Sequence, residues 1–138
     1  MAYNIVWEPD GIHGEYSGFV TGREMIESAT KIQADPRFDE VRYVINDFAN
    51  VTRYDLSEEA FTDLGVANYG AHASNPNCRI VYVTIDKDLT KIIENTLKSP
   101  DLRSFQVEVK PTLLEARDWL DSLPRLHELS NIMAMRDI

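Results

Sequence analysis

Apolar and polar positions along this chain follow two different periods, and each period predicts a different element. Two dense apolar runs, residues 41–45 and 79–85, are rich in β-branched and aromatic residues and too short for helices. They therefore predict buried strands. A short apolar run at residues 3–7 and alternating segments at 12–17 and 105–109 predict three more strands. A turn containing Pro and Gly joins the first two strands and predicts an antiparallel hairpin.

Apolar residues spaced three or four apart predict four helices between and after these strands. The first begins at a capping box, Thr21 to Glu24, and ends before Pro36. The second begins at Ser57, whose hydroxyl can cap the first turn, and runs to about residue 71. The third covers residues 89–97, and the fourth follows a second capping box at residues 112–115.

Two polar interruptions set the predicted limits of the second and third strands. Gly18 is expected to end the second strand. Asn46 and Asp47 are expected to end the third, after which a polar loop leads to the helix that Ser57 caps. Such a loop lies at the carboxyl end of a strand, which is where open α/β sheets commonly carry their sites.

The predicted element order, β-β-α-β-α-β-α-β-α, defines an α/β fold with a mixed five-stranded sheet. It has an N-terminal antiparallel hairpin and right-handed parallel crossovers. Residues 1–123 are expected to form one domain, and residues 124–138 a C-terminal helical extension. That extra helix is either loosely docked or covers a groove or a second subunit.

Composition and charge exclude several classes of function. The chain has 138 residues and a net charge of −9, which argues against binding nucleic acid or anionic lipid headgroups. No apolar run approaches the ~20 residues that span a bilayer, and the N-terminus lacks a basic signal-peptide region. A single cysteine, Cys78, is expected to be a small buried hydrophobe. The cytoplasm is the expected location.

Candidate catalytic chemistry is sparse. The three histidines lie in separate predicted elements without metal-ligand spacing, and no phosphate-binding loop or nucleophile motif is present. Asp47 and Asp55 flank the loop after the central strand, so only these carboxylates could belong to an enzymatic site there. The alternative for both carboxylates is turn formation and backbone bonding, which Asp does well. The sequence predicts neither an enzyme nor a cofactor or metal.

Three stretches together resemble the STAS domain, the sulfate-transporter and anti-sigma-factor-antagonist family. Residues 17–21 resemble its second strand and Gly-containing turn, residues 44–52 its central strand, and residues 55–57 its helix start. The resemblance implies a non-enzymatic regulatory domain that binds a protein partner, such as a kinase or an anti-sigma-like regulator. The expected partner-binding residues lie around the predicted loop and helix start: Asp47, Arg53, Tyr54, Asp55, Ser57 and Glu58.

The resemblance also implies a role for one serine, because anti-sigma-factor antagonists are phosphorylated at this place. Only Ser57 matches, and two neighbours depart from the family pattern. Leu56 replaces a small hydroxyl residue and Glu58 replaces a Gly. Phosphorylation at a helix N-terminus is favourable in itself, but Glu58 and Glu59 would repel the phosphate. The alternative is that Ser57 acts only as an N-cap.

The architecture further resembles the lipid-binding domain of the Sec14 (CRAL-TRIO) type, which implies a lipid or apolar ligand under the helices. Ordinary core packing is the alternative reading of the same side chains. A homodimer through the terminal helix or an open sheet edge is a further expectation. The residues expected to line the apolar pocket are Met25, Phe61, Ile92, Ile93, Trp119, Leu126 and Met133.

Overall fold

Two strands open the chain, and helices then alternate with three further strands. The computed structural model describes residues 2–99 and 105–122. The strands are β1 (Tyr3–Trp7), β2 (Gly11–Thr21), β3 (Tyr43–Asp55), β4 (Arg79–Val83) and β5 (Gln106–Lys110). The α-helices are α1 (Gly22–Ala34), α2 (Glu58–His72), α3 (Lys87–Thr96) and α4 (Leu113–Ser122), with a 3-10 turn at Pro36–Glu40 before β3.

The strands form one sheet in the order β1-β2-β3-β4-β5. β1 is antiparallel to β2, and every other neighbouring pair is parallel. The predicted mixed α/β fold is therefore confirmed, including β5 at the margin of the sheet. The predicted helix at residues 124–138 lies outside the described residues, so the domain limit at residue 123 stays a prediction.

Alternating side chains of the central strands build a core on each face of the sheet. Val44 and Tyr82 pack in the larger core, beneath α1, α2 and α3. Ile45, Val81 and Val83 point to the other face and pack with α4. Because both faces of the sheet are covered, the sequences of these strands are continuous apolar runs and do not alternate between apolar and polar residues.

The predicted loop after the central strand is wrong, because β2 and β3 are both longer than the sequence indicated. Their second halves pair with each other from Ser17 opposite Asn50 to Thr21 opposite Asp55. Two register shifts interrupt this pairing, and Gly18 takes a positive φ of 65° between them. These irregularities break the two-residue alternation by which a strand is recognised.

The predicted starts of α1 and α2 are confirmed. Thr21 caps α1 with a full capping box, in which its hydroxyl accepts from Glu24 N–H and Glu24 accepts from Thr21 N–H. Ser57 caps α2 by accepting from Ala60 N–H. The starts of α1 and α2 lie close together, since a Cβ built on Gly22 would come within 2.8 Å of the Ala60 Cβ.

Candidate functional site

β3 extends well beyond its neighbour β4 at the carboxyl end of the parallel strands. β4 pairs only with the first part of β3, from Tyr43 to Asp47. Thr84 N–H then bonds to the Lys110 carbonyl, and the chain turns into α3, so β4 ends at Val83 and not at Ile85 as predicted. Residues 48–55, the β3 overhang, therefore pair with β2 on one side and with no described strand on the other.

A groove of about 270 Å³ lies beside the β3 overhang, between it and the start of α3. Asp86 caps α3 from this groove, accepting from Leu89 N–H at 2.8 Å. The predicted third helix begins at residue 89 without this cap. The local signal for the cap is an Asp three residues before the first apolar position of the helix. The lining residues are Phe48, Val51, Thr52, Arg53, Tyr54, Thr84, Asp86 and Leu89.

Tyr54 joins the two walls of this groove. Its hydroxyl donates to Asp86 Oδ1 at 2.9 Å, so the end of β3 is tied to the start of α3. Burial raises the pKa of Tyr54 to about 12, and the bond to Asp86 adds to the rise. Tyr54 is therefore only partly exposed, because its ring packs against the larger core.

Arg53 is exposed and points toward β2. Its guanidinium carbon lies 4.5 Å from the centre of the Phe19 ring, in a cation–π arrangement. Phe19 is the residue opposite Arg53 in the β2–β3 ladder and is itself 44% exposed. The pair therefore forms an exposed patch on the β2 side of the β3 overhang.

Asp47 is bonded within the fold and lies apart from the exposed residues. Its Oδ2 lies 2.9 Å from Nε2 of the buried His13, and its Oδ1 accepts from Ala49 N–H. His13 Nδ1 also lies 3.7 Å from a Glu15 carboxylate oxygen. Both carboxylate oxygens of Asp47 are thus engaged within the fold, where β3 leaves β4.

Ser57 stands exposed at the tip of α2, with acidic residues around it. The buried Leu56 anchors the connection from β3 to α2 in the larger core, which leaves its neighbours Asp55 and Ser57 exposed. The Ser57 hydroxyl accepts from Ala60 N–H at 3.2 Å. Glu58 is also exposed. The structure therefore brings Asp55, Ser57 and Glu58 to one surface at the far end of β3.

The residues predicted to line an apolar pocket do not share one cavity. Met25, Phe61, Ile92 and Ile93 belong to the larger core or pack against it, whereas Trp119 lies on α4 and packs against the core on the opposite face of the sheet. The cavity that Met25 lines measures about 30 Å³, which is one water molecule, while ligand pockets reach several hundred. The Sec14-like alternative is not supported. Leu126 and Met133 lie outside the described residues.

Residues 2–99 and 105–122 contain no group of three or more His, Cys, Asp or Glu side chains that could hold a metal ion. Within the same ranges, every helix is too short or too polar to cross a membrane.

Solved structures similar to this chain share its fold. One is the anti-sigma factor antagonist SpoIIAA in its unphosphorylated form, with a TM-score of 0.60 and 12% identity, covering 88% of this chain and 100% of that one. Another is an uncharacterized DUF3478 protein from Shewanella loihica PV-4, described as having a SpoIIAA-like fold. Its TM-score is 0.52 at 14% identity, covering 86% of this chain and 92% of that one.

The sequence comparisons add no family. No family model matches the chain, and no curated protein matches it significantly. At 12–14% identity, the solved structures show the fold alone. The chain has a SpoIIAA-like fold, which confirms the STAS-like architecture that the resemblance predicted.

Proposed function

We propose that this chain is a non-enzymatic regulatory domain that binds a protein partner in the cytoplasm. Its binding surface, here called the β3–α2 surface, consists of Arg53, Asp55, Ser57 and Glu58, with Tyr54 and Asp47 holding the strand beneath it. The observation that carries the proposal is the exposed Ser57 hydroxyl at the N-cap of α2, in a chain with the fold of an anti-sigma factor antagonist.

Modification of Ser57 is the proposed means of control. A phosphate there would lie among the free N–H groups of the first turn of α2, which favour negative charge. Exposed carboxylates of Asp55, Glu58 and Glu59 would surround it. Adding a doubly charged group to this acidic patch would change the local electrostatic potential strongly, and the affinity of a partner would change with it.

Affinity capture with matched variants tests the proposal. The tagged wild-type protein, Ser57→Asp and Arg53→Glu are used as baits in host lysate, and bound proteins are identified by mass spectrometry. Ser74→Ala is the control, because Ser74 is exposed at the far end of α2. We expect at least one partner to bind the wild type and the control but neither surface variant.

The variants should not act by unfolding the protein. Asp is as good an N-cap as Ser, so Ser57→Asp should keep its melting temperature within a few degrees of the wild type. If the wild type and both surface variants recover the same partners in equal amounts, the β3–α2 surface is not the binding surface.

A further inference from the structure

The β3 overhang leaves one side of a strand without a partner. Along residues 48–55, the backbone groups that face away from β2 have no strand beside them among the described residues. A row of unpaired N–H and C=O groups is a template for adding another extended segment. The groove lies where β4 would run if it were longer, and its apolar lining consists of the partly exposed Val51 and the buried Phe48 and Leu89.

An added strand needs less room beside β3 than an added helix would. The volume of the groove, about 270 Å³, corresponds to roughly nine water molecules. A strand adds at a spacing of about 4.8 Å, whereas a helix with its side chains is about 10 Å wide. The hydrogen bond from Tyr54 to Asp86 joins the two walls of the groove near the end of β3.

The charges around the groove favour a basic occupant. Asp86 lines the groove, and Asp88 is near enough to act electrostatically on the Tyr54 hydroxyl. Although Arg53 also lines the groove, its guanidinium group lies over Phe19 of β2, on the other side of β3 from the open edge. The whole chain carries a net charge of −9, which adds to the attraction for a cationic segment.

We propose that the groove binds an extended, basic peptide segment of a protein partner, which adds to the sheet as a strand beside residues 48–55. Main-chain hydrogen bonds to β3 would supply affinity, alternate apolar side chains would pack on Val51, and Lys or Arg would face Asp86. This inference rests on the proposed protein-binding function but uses the side of β3 that faces away from β2.

Peptide selection followed by NMR tests the inference directly. A displayed library of random nonapeptides is selected on the immobilised protein, and the most enriched sequence is synthesised. We expect enriched sequences to alternate apolar residues with Lys or Arg. We expect the synthetic peptide to slow amide hydrogen exchange within residues 48–55 at least tenfold, and N-methylation of alternate peptide bonds to weaken binding at least tenfold.

Two Asp→Asn variants separate local from general charge effects. Asp86→Asn keeps an N-cap of equal quality and an oxygen that can accept from Tyr54, while it removes the charge. Asp118→Asn removes the same charge from an exposed position on α4, on the opposite face of the sheet. We expect the first variant to weaken the peptide at least fivefold and the second to leave its affinity unchanged.

Several outcomes would overturn the inference. An empty selection would do so, as would enriched sequences without basic residues, or exchange protection that maps elsewhere. Protection of residues 48–55 that grows with protein concentration in the absence of peptide would show that a second copy occupies the edge instead. If these results overturn the inference while Ser57→Asp still abolishes partner capture, the proposed function stands without this mode of binding.

Discussion

The Asn75 side chain links the loop before β4 by hydrogen bonds to the segment that leads into β3. The residue is 7% exposed, and its amide nitrogen donates to the carbonyls of Phe38 and Val41, both at 2.7 Å. These acceptors lie 37 and 34 residues earlier in the chain. Asn75→Ala should therefore destabilise the fold even though it removes no core hydrophobe.

The expected loss of stability depends on which hydrogen bonds the two carbonyls keep when the Asn75 side chain is removed. The Phe38 oxygen keeps a bond from Val41 N–H, so losing Asn75 there costs about 1 kcal/mol. The Val41 oxygen loses the side-chain amide in a buried place, which costs about 1–2 kcal/mol. Together, the two costs lower the free energy of unfolding by about 2–3 kcal/mol. For a chain of this size, that lowers the melting temperature by roughly 8–12 °C.

Urea unfolding followed by circular dichroism measures this loss, with Asn77→Ala as the control in the same loop. Asn77 is exposed, so its replacement should change the free energy of unfolding by less than about 0.5 kcal/mol. A loss below 1 kcal/mol for Asn75→Ala would refute the reasoning. Equal losses for both variants would show instead that alanine weakens this loop wherever it is placed.

Three further predictions concern charge, packing and reactivity. Hydrogen bonds from Arg117 hold the pKa of Glu8 below its ordinary value of 4.5, so the bonded carboxylate stabilises the fold above that pH and the stabilisation is lost as the pH falls through the lowered pKa. Glu8→Gln should accordingly cost about 1 kcal/mol at pH 7 and progressively less below pH 4.5 in urea titrations, and a pH-independent loss would contradict this. Gly22→Ala should destabilise by about 1 kcal/mol, because the new methyl meets the Ala60 Cβ at 2.8 Å, and Ala60→Gly in the same chain should restore most of the loss. Burial raises the pKa of the Cys78 thiol to about 12, so iodoacetamide at pH 8 should label it only in unfolded protein, and rapid labelling of the native protein would disprove that.

Element order could be predicted because it depends on local patterns that this chain keeps intact. Strands buried on both faces give dense apolar runs, as Ile80 to Val83 does. Helix starts depend on about four consecutive residues, so Thr21 and Ser57 were identified as caps from their neighbours alone.

The site could be predicted only in part, because its geometry depends on residues far apart in the chain. The β3 overhang has no regular alternation to recognise, since two register shifts interrupt its pairing with β2. Tyr54 is held by Asp86, which lies 32 residues later and has no local sequence relation to it. The groove exists because β4 stops opposite Asp47, and where a strand stops relative to its neighbour is a property of the assembled sheet.

The open side of the β3 overhang also bears on how copies of this chain meet one another. An unpaired strand edge can join the same edge of a second molecule and start self-association. A net charge of −9 opposes such encounters at neutral pH. This repulsion vanishes near the isoelectric point of about 4.7 and is screened by salt. Acidic buffers should therefore promote precipitation by removing the charge that keeps these strand edges apart.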